Sequence, residues 1–224
     1  MELFRIVPAG DAALVVELPE RIDVQLNAWC VALSRALVSD LGTIIRDVVI
    51  GYSSVTVYFD PLNVDAAWLE AEILTRAVSV DIADAAAGGV VEVPVCYGGD
   101  LGPDLADVAA FAGCSEADVI DLHVGREYRV FMVGFVPGFA YMAEVEPRIA
   151  APRRASPRTA VPAGSVGIAG GQTGIYPAIT PGGWNLIGRT ALLPYDPARP
   201  EPFLFKAGDR VRFRQISTDA FGRP

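Results

Sequence analysis

Residues 161–190, VPAGSVGIAGGQTGIYPAITPGGWNLIGRT, hold eight glycines, three prolines and a single charge, Arg189. Gly and Pro at this density are the usual composition of a flexible linker. Linkers are polar, however, and here Val, Ile, Leu, Tyr and Trp recur at short intervals. In SVGIAG, GIYPAIT and WNLIGRT the apolar residues form short β-capable runs. Glycines lie between them, where turns need positive φ or close backbone approach. A chain with such a segment must pack it as β structure with tight turns. The segment is not a nucleotide loop, because GGQTGIY lacks the lysine that reaches phosphates and no helix pattern follows it.

The rest of the chain surrounds this segment with ample core material. It has 224 residues, 52% of them hydrophobic, enough for one large domain or two small ones. No run of about 18 uncharged apolar residues predicts a membrane span. The start, MELFRIVPAGDAALVVEL, lacks the basic region, apolar centre and cleavage site of a signal peptide, so a cytoplasmic protein is expected. Cys30, Cys96 and Cys114 are odd in number and widely spaced, which predicts small core residues, no disulfide framework and no zinc site.

Residues 1–89 read as hairpin, helix, hairpin, helix. LFRIV and ALVVEL flank the turn PAGD, and IIRDVVI and SVTVYFD flank GYS. Between them Ile22, Leu26, Trp29, Leu33, Ala36 and Leu37 recur at steps of three and four, an amphipathic helix stopping near Gly42. DAAWLEAEILTRAVSV is a second helix with Asp65 as N-cap. The order ββαββα predicts a two-layer α+β unit, one sheet with two helices on one face. DIADAAAGG, residues 81–89, is a candidate linker, which divides the chain into domains 1–85 and 86–224.

The second part opens with the strand VVEVPVCY. Two short helices follow in DLADVAAFAGCSEADVIDLHVG, with Asp104 and Ser115 as N-caps and Gly113 and Gly125 as stops. They carry no Lys or Arg before Arg126, which excludes reading them as a DNA-binding helix-turn-helix. From EYRVFMVGF onward short strands alternate with Gly/Pro turns, ending in two strands around AGD in FLFKAGDRVRFRQIS. A sandwich or barrel is expected.

Charge separates the two parts. The net charge is −9, yet residues 1–125 hold five arginines against twenty acidic residues, whereas 126–224 carry a balance of +6. The basic part can receive an anionic ligand or acidic partner, or simply present Arg-rich strands to solvent. His123, the single histidine, is the obvious acid–base candidate or else a packing residue. PRRASPR places Arg153, Arg154 and Arg158 between prolines, a stiff frame for guanidinium forks that suit carboxylate or phosphate. Ser165 has only His123 as a conceivable base and is not in a nucleophile elbow. Gln172, Thr173 and Tyr176 can line a pocket, and Trp184 and the GFVPGFAYM aromatics are core or groove.

Blocks of these motifs taken together carry a resemblance. GFVPGFAYM, APRRASPRTAVPAGSVGIAGGQTGIYP, TPGGWNLIGRT and GDRVRF, dense from Leu122 to Phe213, resemble the family of 5-oxoprolinase B-type subunits, also called the KipI family or allophanate hydrolase subunit 1. The opening GDAALVVEL fits as well. The resemblance implies a small α/β N-terminal domain followed by a cyclophilin-like β-barrel. It implies partners, a homologous cyclophilin-like C-type (KipA-type) subunit and an A-type subunit. It implies a small-molecule substrate, with neither nucleic acid nor membrane. The implied reaction is ATP-dependent hydrolysis of 5-oxo-L-proline to L-glutamate by the complex. ATP, with Mg2+, is then a co-substrate of the assembly and is not bound by this chain alone, which is inactive by itself. Two other branches remain open: inhibition of a histidine kinase, and a component of a urea or allophanate amidolyase system. Prolyl isomerisation follows from fold analogy only. Within matched motifs, His123, Arg154 and Arg158 are candidates for catalysis. Ser165, Gln172, Tyr176 and Arg189 are candidates for substrate or nucleotide binding, and no metal ligands are expected. Ala140 and Ala191 stand where the family usually has proline, and His123 is followed by Val where the family has Thr.

Overall fold

Alternation in SVTVYF sets the first unit. In the computed structural model, which describes residues 4–82 and 88–221, the chain divides into compact units Met1–Gly88 and Gly89–Pro224. The first holds strands β1 (Arg5–Pro8), β2 (Ala13–Glu17), β3 (Ile45–Ile50) and β4 (Ser54–Phe59), with helices α1 (Val24–Leu41) and α2 (Ala66–Ser79). The strands form one antiparallel sheet in the order β1-β2-β4-β3. Val55, Val57 and Phe59 of β4 are buried, and the register sets Val57 opposite Leu14 and Val55 opposite Val16. A slip of one residue would turn all of them outward, so burial fixes the pairing. Leu26, Trp29, Leu33 and Leu37 of α1 and Leu69 and Ile73 of α2 join the same cluster. Each such fully buried side chain contributes about 1.5–3 kcal/mol of transfer free energy. Ile22, expected on the helix stripe, instead precedes the helix and is exposed.

Both helix starts are capped locally. The Asp23 carboxylate accepts from the N–H groups of Gln25 and Leu26, at 2.8 and 3.1 Å, and Asp65 accepts from Trp68 N–H at 2.8 Å. These bonds satisfy donors that the first turn leaves without partners. Of the expected linker, residues 83–87 lie outside the described residues.

The second unit is a closed seven-stranded barrel. Its strands are β5 (Val90–Tyr97), β6 (Glu127–Val133), β7 (Ala140–Ala143), β9 (Ser165–Ala169), β10 (Gln172–Ile175), β12 (Asn185–Arg189) and β13 (Arg210–Gln215). The order is β10-β7-β6-β13-β5-β12-β9, and β9 pairs back with β10. Every pair is antiparallel except β13 with β5. A separate two-stranded sheet pairs β8 (Arg158–Val161) with β11 (Thr180–Gly182). Helices α3 (Leu105–Ala112) and α4 (Glu116–Val124) pack on the barrel, contributing Leu105, Val108 and Val119 to a core with Val95, Val130, Met142, Ile168 and Phe213. Between them Gly113 takes φ +62°, and Ser115 and Asp118 cap α4 reciprocally.

The Gly-rich segment is packed β structure, as its apolar runs require. β9 is buried at every residue, and Gly164 and Gly170 at its two ends adopt positive φ. One expectation fails at the C-terminus. Of the two strands around AGD only β13 forms, because Phe203 keeps a single bridge to Tyr195 while Pro202 lacks an N–H for a ladder. Among the described residues, no helix is long and apolar enough to cross a membrane.

Candidate functional site

Arginines 153, 154 and 158 sit in one loop, yet they face different surroundings. The loop is fixed at both ends. Asn185 donates from Nδ2 to the Pro152 carbonyl at 2.8 Å, Arg154 N–H bonds the Gly183 carbonyl at 2.8 Å, and Arg158 opens β8. On the inner side lies Asp104, whose side chain is 3% exposed. Sequence reading makes it the N-cap of α3. It occupies that position, but its carboxylate makes no cap bond.

The carboxylate is used across the chain instead. Arg158 donates to both oxygens, Nη1 to Oδ2 at 2.8 Å and Nη2 to Oδ1 at 2.7 Å. Arg154 Nη1 adds a third bond at 2.6 Å, and the Leu186 N–H a fourth at 2.7 Å. The Asp104 N–H returns to the Leu186 carbonyl at 2.9 Å, so Asp104 bonds β12 much as a neighbouring strand would. A buried carboxylate survives only with such compensation. Its hydrogen bonds in turn raise the Arg158 pKa above its ordinary value. Arg154 and Arg158, the expected catalytic arginines, thus turn toward a carboxylate of the same chain, which offsets one of their two charges, while Asp107 lies 3.6 Å from Arg154; both brace the loop.

His123, expected either as an acid–base group or as a packing residue, also lies inside the fold. It is wholly buried, and burial lowers its pKa to about 3. Thr173 donates from Oγ1 to the Gly167 carbonyl at 3.0 Å and so accepts the His123 Nε2–H at 3.0 Å. That leaves Nδ1 to accept from the Tyr97 hydroxyl at 2.8 Å. The ring packs against Phe213 and Tyr128, with centroids at 4.5 and 5.2 Å. The neutral imidazole thus has both nitrogens engaged within the fold. Ser165 is buried at the start of β9, and both nitrogens of the one histidine are bonded elsewhere. Arg189 donates from Nε to the Ala163 carbonyl at 2.8 Å, which holds the turn before Ser165. Gln172 begins β10, half-buried, and lies opposite Ala169 and Ala143.

Of the expected site residues, Tyr176 faces an open cleft. This cleft, about 320 Å³, has walls of Phe135, Phe139, Tyr141, Tyr176 and Trp184, with Arg153 at its edge. Phe139 is the hub. It meets Tyr176 and Trp184 edge-on at 5.1 and 5.4 Å, and lies 4.7 Å from Tyr141, spacings at which aromatic pairs attract beyond their area. Glycine makes this packing possible. A Cβ on Gly182 would stand 2.3 Å from the Tyr176 hydroxyl oxygen, and one on Gly174 would stand 2.9 Å from the Ala140 carbonyl oxygen. At the rim Phe135 holds φ +67°, the one positive value of a non-glycine among the described residues. Strain of this kind costs about 1–3 kcal/mol and concentrates at functional sites.

Arg153 is exposed, and among the described residues no carboxylate pairs with it. Burial raises the Tyr141 and Tyr176 pKa values, while the nearby Arg153 charge opposes the rise at both. Both phenols are therefore protonated at neutral pH. On its other side Arg153 borders a second cleft of about 470 Å³, shared with Arg154, Asp107 and Phe111. Among the described residues no group of three or more His, Cys, Asp or Glu side chains converges as a metal site would. Sequence reading named the arginine loop, Arg153 included, and Tyr176; it missed Asp104 as the loop's anchor and did not carry Arg153 forward among the residues proposed for catalysis or binding.

Residues 4–205 match the family model described as carboxyltransferase domain, subdomain C and D. The 5-oxoprolinase B subunit of Escherichia coli O157:H7 is 44% identical over 224 residues, covering 95% of this chain and 96% of that protein. The 5-oxoprolinase B subunit of Bacillus subtilis is 40% identical over 227 residues, covering 96% and 93%. Among solved structures, TTHA0988 superposes with a TM-score of 0.81 at 38% identity over 92% of this chain, which spans 40% of that longer chain. The urea amidolyase of K. lactis has the same fold over 97% of this chain, with a TM-score of 0.79 at 20% identity, and this chain spans 15% of it.

Proposed function

The chain belongs to the family of 5-oxoprolinase B-type subunits, and on that premise we propose that it is one component of an ATP-dependent complex that hydrolyses 5-oxo-L-proline to L-glutamate. The observation that carries the reading is full-length agreement: relatives of that name match nearly end to end in both directions. The partners in this reading are an A-type subunit and a homologous C-type subunit of the KipA kind. In this reading residues 1–85 form the small α/β domain and 86–224 a cyclophilin-like barrel domain.

The chemistry divides sensibly among several chains. A lactam resists water because its nitrogen lone pair is delocalised onto the carbonyl. Transfer of a phosphoryl group from ATP to the lactam oxygen makes the ring carbon a better electrophile. Water then adds, the C–N bond opens with the nitrogen taking a proton, and a second water releases phosphate. Such a reaction needs phosphate-binding groups and a magnesium ion to offset charge on the nucleotide. This chain carries no nucleotide loop, so the proposal assigns those tasks to the assembly. Its own contribution is the barrel cleft, where a small polar ring can be held away from bulk water.

The test is co-expression with the neighbouring subunits and measurement of ATP hydrolysis with and without 5-oxo-L-proline. Stimulation by 5-oxo-L-proline that disappears when this chain is omitted is the expected result. An assembled complex that hydrolyses 5-oxo-L-proline equally well without this chain would remove the reading.

A further inference from the structure

We propose that the aromatic cleft is the subsite for the carboxylate-bearing ring of the substrate: the ring lies against Phe139, Tyr141 and Trp184, and Arg153 takes the carboxylate. The ligand class is a small cyclic amide with one carboxylate, which rests on the lactam-hydrolase reading above.

Three independent features lead to this class. The first is charge. Arg153 is the single cation among the residues lining the cleft, and it is the arginine of its loop that does not bond Asp104. One guanidinium matches one carboxylate by a bidentate pair. A nucleoside triphosphate, with several negative charges, needs more cations or a nest of backbone amides than this cleft offers. The second is the wall chemistry. At about 320 Å³ the cleft lies at the small end of ligand pockets, and its aromatic faces suit a flat ring. The third is polarity. Two phenols, Tyr141 and Tyr176, are among the residues that line the cleft with Arg153. A lactam with an α-carboxylate has the features these groups address, a flat ring, one anion and one amide.

The loop explains why Arg153 can be held in place. Pro152 precedes it, the Arg154 N–H is tied to Gly183, and Asp104 grips the two arginines that follow. The cation is thus carried on a braced segment, which reduces the entropy lost when it pairs.

The test has two parts. Binding of 5-oxo-L-proline and of 2-pyrrolidinone, the same ring without the carboxylate, is followed by NMR or calorimetry on the whole chain and on the Arg153→Gln variant. The KM for 5-oxo-L-proline is then measured in the co-expressed complex with the same variant. The expected result is a KM at least about tenfold higher in the variant with kcat for bound substrate largely kept, the size expected for one charge-assisted pair. In the isolated chain, pyrrolidinone and the variant should each bind at least about tenfold more weakly than the natural pair. An unchanged KM in a complex that still requires this chain would overturn the subsite while leaving the proposed role in the complex intact. A complex that does not require the chain would instead remove that role itself. Equal binding of the two ligands to the natural chain would show an apolar cleft with no use for Arg153, and would also overturn the subsite.

Discussion

The two sides of the 152–158 loop use the same residue type for opposite purposes. On the inner side Arg154 and Arg158 direct their hydrogen bonds to Asp104, a carboxylate almost removed from water. On the outer side Arg153, one residue away, is exposed beside an aromatic cleft. A guanidinium matched inside the fold adds rigidity. One left unmatched at a concave apolar surface remains available to a ligand. Counting arginines in a loop therefore says little about an anion site until the internal carboxylates have been assigned.

The largest test of this contrast is Asp104→Asn. It keeps the side-chain shape but leaves two arginines facing a neutral amide. Removing one partner of a buried ion pair costs about 3–5 kcal/mol, and urea unfolding of the variant should show a loss of that order. A loss under about 1 kcal/mol would mean that the inner side is not the brace described here. The next effect is pH-dependent and concerns His123, the other sealed polar group. Unfolded, the ring takes a proton near its ordinary pKa of about 6.5, whereas folded it does so only near 3. Between those values the unfolded chain binds the extra proton, so its stabilising contribution is present above about pH 6.5 and is lost as pH falls toward 3. From pH 7 to pH 5 the natural chain should lose about 2 kcal/mol more than a His123→Gln variant. Equal losses would show that His123 titrates normally and is open to solvent. The smallest effect belongs to the outer side. Arg153→Gln should change unfolding free energy by less than about 0.5 kcal/mol, because an exposed, unpaired side chain supports nothing in the fold. A larger change would reveal a structural partner and erase the distinction between the two sides.

Much of the fold was legible because it rests on short-range rules. The caps at Asp23, Asp65 and Ser115 each bind N–H groups two or three residues ahead, so the sequence alone displays both partners. The stripe of Leu26, Trp29, Leu33 and Leu37 follows from the helical period, and the alternation of Val55, Val57 and Phe59 from the strand period. The Gly-rich segment was legible for a related reason: only glycine tolerates the positive φ at Gly164 and Gly170 without strain. The candidate site was less so. Tyr176 is among the residues lining the cleft, whereas His123, Arg154 and Arg158 turn to partners inside the molecule.

By itself, then, the sequence determined where elements start and stop, which faces are apolar, and that residues 161–190 pack as β structure with tight turns. Each of these depends on backbone geometry and on neighbours a few positions away. The tertiary structure alone decided what each polar side chain does. Asp104 meets Arg154 and Arg158 across separations of 50 and 54 positions, and His123 meets Thr173 across 50. Such pairings arise only when barrel closure brings distant strands together, and burial then obliges every polar group there to find a partner. Among the described residues Arg153 stands beside the aromatic cleft with no carboxylate partner, and the proposed subsite depends on it.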